Sequence, residues 1–183
     1  MRNRLMGKLK FEIEKLGRIT IDAIKNIKDE ERVEDLLWEA IDTRWELNDT
    51  AIEILIRFQP MARELRLVRA CMDASYDLYR IVRHSEKLSK LPIDNYTTKL
   101  LSSLLPWLKM GISCLTGDSD LDLTDFPLYE DAFNEGLKMV DKAISVHLDS
   151  MFNHMKHVLA SALYYIRRKE SSRENAYNVP HVR

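Results

Sequence analysis

Glycine is scarce in this chain, at 5 of 183 residues, under half the usual share of about 7%. Few tight turns are therefore available. A β-sandwich, a β-barrel and a glycine-rich nucleotide fold are all disfavoured. The motifs of common enzyme classes are missing as well: no P-loop, no GxGxxG, no GxSxG and no HExxH is present. Nothing pairs a nucleophile with a base, so no enzymatic activity is expected. Cysteine is limited to Cys71 and Cys114, far apart and outside any CxxC pair. That excludes a disulfide scaffold and a zinc cluster of cysteines. Both lie in apolar helical stretches, as buried thiols in a reducing cytosol do. Neither sign of charge is in excess, with 28 Lys and Arg against 29 Asp and Glu. No basic field exists to hold nucleic acid. Long apolar runs are absent too. The most apolar, Leu100 to Leu108, is half a membrane span and is closed by Lys99 and Lys109. The first fifteen residues are charged throughout and contain no apolar h-region, so no signal peptide is expected and the chain is read as cytoplasmic.

What remains is a chain with 31% charged and 45% apolar residues, the balance of a soluble helical bundle rather than of a disordered chain. The length suits one large domain or two small ones. Apolar positions recur with helical period in successive stretches. Residues 5–27 carry Leu5, Leu9, Ile13, Leu16, Ala23 and Ile27. Residues 32–58 bury Leu36, Leu37, Ala40, Ile41, Trp45, Ile52, Leu55 and Ile56, and Pro60 ends them. Residues 61–90 carry Leu65, Val68, Met72, Tyr76, Ile81 and Leu88, with Pro60 suited to the first turn. A fourth helix over 93–116 is expected to kink at Pro106. The Gly-, Ser-, Asp- and Thr-rich segment up to Pro127 is a loop. A fifth helix is predicted over 128–148, with Asp149, Ser150 and Asn153 as the turn before a sixth over 154–178. No strand alternation is found. The fold class is all-α, three helices followed by three helices.

The third helix opens on Gln59-Pro60-Met61-Ala62-Arg63-Glu64-Leu65-Arg66 and continues through Asp77-Leu78-Tyr79-Arg80-Ile81. Near the C-terminus, Glu170, Glu174 and Asn178 recur at spacings of four, and Glu130, Asp131 and Glu135 stand on the fifth helix. These segments resemble the PhoU family, whose third helix begins QPxAxDLR and later reads LERIGD, with a second ERIGDxxxN segment in its sixth. The resemblance covers about residues 30–179 and looks like a short variant. It implies two tandem three-helix bundles, 1–91 and 92–183. It also implies a cytosolic negative regulator of phosphate uptake that acts by protein–protein contact. The partner would be the ATPase of a phosphate ABC transporter, or an ion-coupled phosphate permease in a sister group. A phosphate-sensing histidine kinase is a further partner in many bacteria, contact with the membrane would be peripheral and through partners, and family members are often homodimers.

The family can hold metal clusters on paired acidic residues, which implies a divalent or ferric ion at Asp131, Glu135, Glu170 and Glu174 here. Residues four apart share a helix face, so two helices can aim four carboxylates at one cation. The competing reading is four solvated carboxylates, neutralised by Arg167, Arg168, Lys169 and Arg173. In the first repeat Tyr79 and Arg83 replace the family's Glu and Asp. A salt-bridged substitute is expected there, Asp42 and Glu46 pairing with Arg80 or Arg83. His147, His154 and His157 read as solvated helix histidines, since a turn is expected between 147 and 154 and no ExxH pair exists for di-iron chemistry. Trp38, Trp45 and Trp107 read as core or bundle-edge packing. A metal-binding or metal-storage bundle is the alternative to the regulator, and a helical metalloenzyme is disfavoured.

Overall fold

The computed structural model describes residues 1–117 and 119–166. All regular structure among them is α-helical: α1 Arg2–Lys25, α2 Glu30–Phe58, α3 Ala62–Ser89, α4 Asn95–Ser102, α5 Leu105–Thr116, α6 Phe126–Leu137 and α7 Lys142–Ile166. Local chemistry sets the ends. Asp29 caps α2, its side chain accepting from the Arg32 N–H at 3.1 Å, and Asp94 caps α4 through the Thr97 N–H at 2.7 Å. Gly117, at φ 90°, closes α5 by donating to the Ser113 and Cys114 carbonyls.

α4 and α5 are the two halves of the predicted fourth helix. The break falls at Ser103 and Leu104, and Pro106 occupies the first turn of α5, where its missing N–H has no partner to lose. Pro60, expected in the first turn of α3, instead lies buried in the link between α2 and α3. That link is strained, because Gln59 at φ 43° and Ala62 at φ 50° are left-handed without being glycine.

The larger correction concerns the last two helices. The chain turns at residues 138–141, where the Asp141 side chain accepts from the Ala143 N–H at 2.8 Å and opens α7. The predicted turn at Asp149, Ser150 and Asn153 does not exist. Those polar groups are satisfied within one continuous helix: the Ser150 hydroxyl donates to the Val146 carbonyl, and the Asn153 amide to the Asp149 carboxylate four residues back.

α1, α2 and α3 pack mutually, α3 lies along α7 in the most extensive helix pair, and α5 bridges α7 and α1. One contiguous apolar core runs through all of them. The three-then-three order agrees with two tandem three-helix sets. Gly17 on α1 sits where a Cβ would fall 2.5 Å from Ile112 Cδ1 on α5, so these helices approach closely. Lys10 of α1 reinforces the contact by donating to the Thr116 carbonyl at 2.7 Å. α6 stands farther out and joins through aromatic side chains. Phe133 stacks on Phe152 of α7 with centroids 4.5 Å apart, and Phe126 meets Trp107 edge-on at 4.9 Å.

Cys71 and Cys114 are buried and free, and burial pushes the Cys71 thiol up to about 12. Trp107 is bundle-edge packing as expected. Trp38 and Trp45 are not: they stand 63% and 62% exposed on α2, in line with Ile52 and Ile56, which were expected in the core and are also exposed. Leu65 and Tyr76 on α3 share that exposure. Among the described residues no helix is long and apolar enough to cross a membrane.

Candidate metal centre between α3 and α7

α3 and α7 run antiparallel in a fixed register. Arg66 meets Tyr165, Asp77 meets His154 and His84 meets His147, one number rising as the other falls. On α3, Asp77 and His84 are seven residues apart. On α7, His147 and His154 are seven apart, with His157 one turn further. A seven-residue interval returns a helix close to the same face. The seam therefore carries a ladder of titratable groups.

Asp77 is buried at 6% exposure. Its Oδ1 lies 2.8 Å from His154 Nδ1 and 3.2 Å from His157 Nδ1. A carboxylate deprived of water must be hydrogen-bonded or compensated in charge. Here two imidazoles do the first, and no Lys or Arg among the described residues pairs with it. The one carboxylate and two ring nitrogens lie within 4.8 Å of one another and could hold a metal ion.

The next rung is His84 and His147, whose Nδ1 atoms are 3.1 Å apart, so one ring donates and the other accepts. Burial first, and then the nearby Arg80 charge, lower the His84 pKa to about 4, which keeps that ring neutral at physiological pH. His84 Nε2 is buried with no hydrogen-bond partner among the described residues. The His84 and His154 rings are 5.8 Å apart, which joins the two rungs.

The Asp77 rung opens onto a groove of about 990 Å³ between α2, α3 and α7, bordered by Arg44, Trp45, Met72, Tyr76 and Tyr164. His157, with 41% of its side chain exposed, stands between the two. Arg44 lies over the Tyr76 and Tyr79 rings at 5.3 and 5.4 Å. The salt-bridged substitute expected in the first repeat does not form. Asp42 and Glu46 are exposed, Arg83 donates to the Tyr79 hydroxyl at 3.0 Å, and no carboxylate pairs with Arg80 or Arg83 among the described residues. Tyr79 thus receives Arg44 on its ring and Arg83 at its hydroxyl.

Asp131 and Glu135 are exposed on α6, and Glu135 pairs with Lys138 at 2.6 Å. Glu170 and Glu174 lie outside the described residues. The three histidines read as solvated are half-buried on one helix, facing α3. The signal that reveals them is the matched seven-residue interval on the third and last helices. No protein-family model matches this chain, and neither does any curated protein.

Proposed function

We propose that this chain is a PhoU-like regulator that restrains phosphate uptake by docking on a phosphate transporter from the cytoplasmic side. The sequence around Gln59–Arg66 supports the reading, and the all-α, three-then-three order agrees with it. The structural observation that carries the contact mechanism is the exposed stripe Trp38, Trp45, Ile52 and Ile56 on α2. Large apolar side chains aligned on one exposed face mark an interaction surface, and aromatic anchors supply much of the energy of such contacts. The docking partner is a transporter ATPase or a permease loop, with a histidine kinase or a second copy of the chain as further partners. The test is affinity purification of the tagged chain from its own cells beside phosphate-uptake measurements. Wild type should capture a phosphate transporter component, and Trp45→Glu should lose it and raise uptake. Loss of capture with unchanged uptake would refute the mechanism.

A second reading, a cation-binding bundle, is favoured by the convergence of Asp77, His154 and His157. It shifts weight from the Asp131, Glu135, Glu170 and Glu174 quartet to the α3–α7 seam. Metal analysis of the protein after dialysis against iron, magnesium and zinc salts tests it, and retention of none refutes it.

A further inference from the structure

We propose that the α3–α7 seam is a binding site for one zinc-class divalent ion, held by Asp77 Oδ1, His154 Nδ1 and His157 Nδ1, with a remaining coordination position open to the groove. The inference rests on the cation-binding reading and specifies the ion class, the ligand atoms and the consequence for the fold.

Ligand type comes first. Two imidazole nitrogens and one carboxylate oxygen suit borderline transition ions, whereas magnesium and calcium require oxygen cages. Geometry agrees. An ion bound at about 2.0–2.1 Å from each donor in a tetrahedral arrangement separates the donors by roughly 3.3 Å. The oxygen-to-nitrogen separations here are 2.8 and 3.2 Å, and all three donors lie within 4.8 Å of one another, so side-chain adjustment can bring them onto one ion. His154 and His157, one turn apart, present both rings to the same point on α3. Electrostatics supplies the third argument. Asp77 is a buried carboxylate with no Lys or Arg partner among the described residues. The two rings hydrogen-bond to it, and a bound cation would also balance its charge. A divalent ion does so while displacing the protons that now lie between ring and carboxylate.

Three protein donors leave a fourth position of a tetrahedral ion unfilled. The half-exposed His157 and the groove beside Trp45 and Tyr164 place that position within reach of solvent and give the ion its entry path. His84 Nε2 close by is also buried and without a hydrogen-bond partner among the described residues. Because Asp77 belongs to α3 and both rings to α7, the ion clasps the seam between the first three helices and the last. Binding to the folded chain alone must then raise its stability.

The test uses the full chain stripped of metal with a chelator. It is dialysed against zinc, cobalt(II), magnesium and calcium separately, with bound metal measured and melting followed. Zinc and cobalt should bind one per chain and raise the melting temperature, and magnesium and calcium should not. His157→Gln, at a half-exposed position that the fold tolerates, should weaken zinc binding about 100-fold or more. Asp77→Asn should do the same, and Glu135→Gln should leave affinity unchanged. Azide added to the cobalt form should change its visible spectrum if the open position exists. Retention of no metal overturns the cation-binding reading itself. Retention of magnesium in preference to zinc, or binding sensitive to Glu135→Gln and not to His157→Gln, overturns this site while leaving that reading intact. An unchanged spectrum with azide refutes the open position.

Discussion

Replacement of Phe133 by alanine tests how α6 is held. The ring is 1% exposed, stacks on Phe152 at 4.5 Å and lies 6.0 Å from Tyr129. Truncating a buried phenylalanine costs about 3–5 kcal/mol, of which the aromatic pairing is about 0.5–1.5 kcal/mol. The loss should not be spread evenly. Beyond its ring contacts α6 is tied to α7 by the Glu130–Lys156 ion pair at 2.9 Å, and helix-to-helix contact there is sparse. The cheapest response is therefore local release of α6 with the rest of the bundle intact. At about 1.4 kcal/mol per tenfold, hydrogen exchange of α6 amides should accelerate by roughly two to three and a half orders of magnitude. Amides of α1 and α3 should change far less. Exchange measured amide by amide decides the matter. Equal acceleration in α1 and α6 would refute α6 as a separate opening unit. Unchanged exchange of the α6 amides would refute Phe133 as an anchor.

Three further outcomes follow from other parts of the fold. Glu12 is buried in α1, accepts from Thr50 at 3.1 Å and leaves Oε2 without a partner among the described residues. Burial raises its pKa against the opposing Lys8 ammonium at 3.4 Å, so the fold gains stability as pH falls through the range above about 4.5, and Glu12→Gln should abolish that gain in thermal melts taken across this range. The depressed pKa of His84 works in the opposite sense. Stability from its neutral ring is whole above the ordinary value of about 6.5 and is lost as pH falls toward about 4. For a partly exposed ring the loss is about 1–2 kcal/mol, and acid titrations of metal-free wild type should show it while His84→Gln should not. Gly17→Ala should clash with Ile112, at about 1–3 kcal/mol against a helix-propensity gain of about 1. Ile112→Ala should relieve that clash, so a double-mutant cycle should show favourable coupling, and strict additivity would disprove the contact.

The all-α class and the course of the first three helices were legible because scarce glycine and clean apolar periodicity agree. The α6–α7 boundary was not. Asp149, Ser150 and Asn153 are turn formers in isolation, yet Ser150 and Asn153 bond back along α7 while the neighbouring Leu148, Met151 and Phe152 are buried. That one misplaced turn separated His147 from His154 and hid the ladder opposite Asp77 and His84. The exposed α2 stripe was hidden for another reason: periodicity says that Trp38, Trp45, Ile52 and Ile56 share a face, and not whether this chain covers it. The acidic quartet rested on resemblance, and its two members on α6 face solvent.

The antiparallel register of α3 and α7 also bears on how the chain acquires its fold. α1, α2 and α3 follow one another through short links and can assemble from contacts close in sequence. The seam instead joins Asp77 to a partner 77 residues later. Closing a segment of that length costs about 4 kcal/mol in chain entropy beyond a constant, before any contact across it returns energy. The first three helices can thus pair through near contacts, whereas α7 joins them only across this longer closure. Substitutions within the seam should then act mainly on the speed of unfolding, and an ion bound there would lengthen the lifetime of the folded chain rather than hasten its formation.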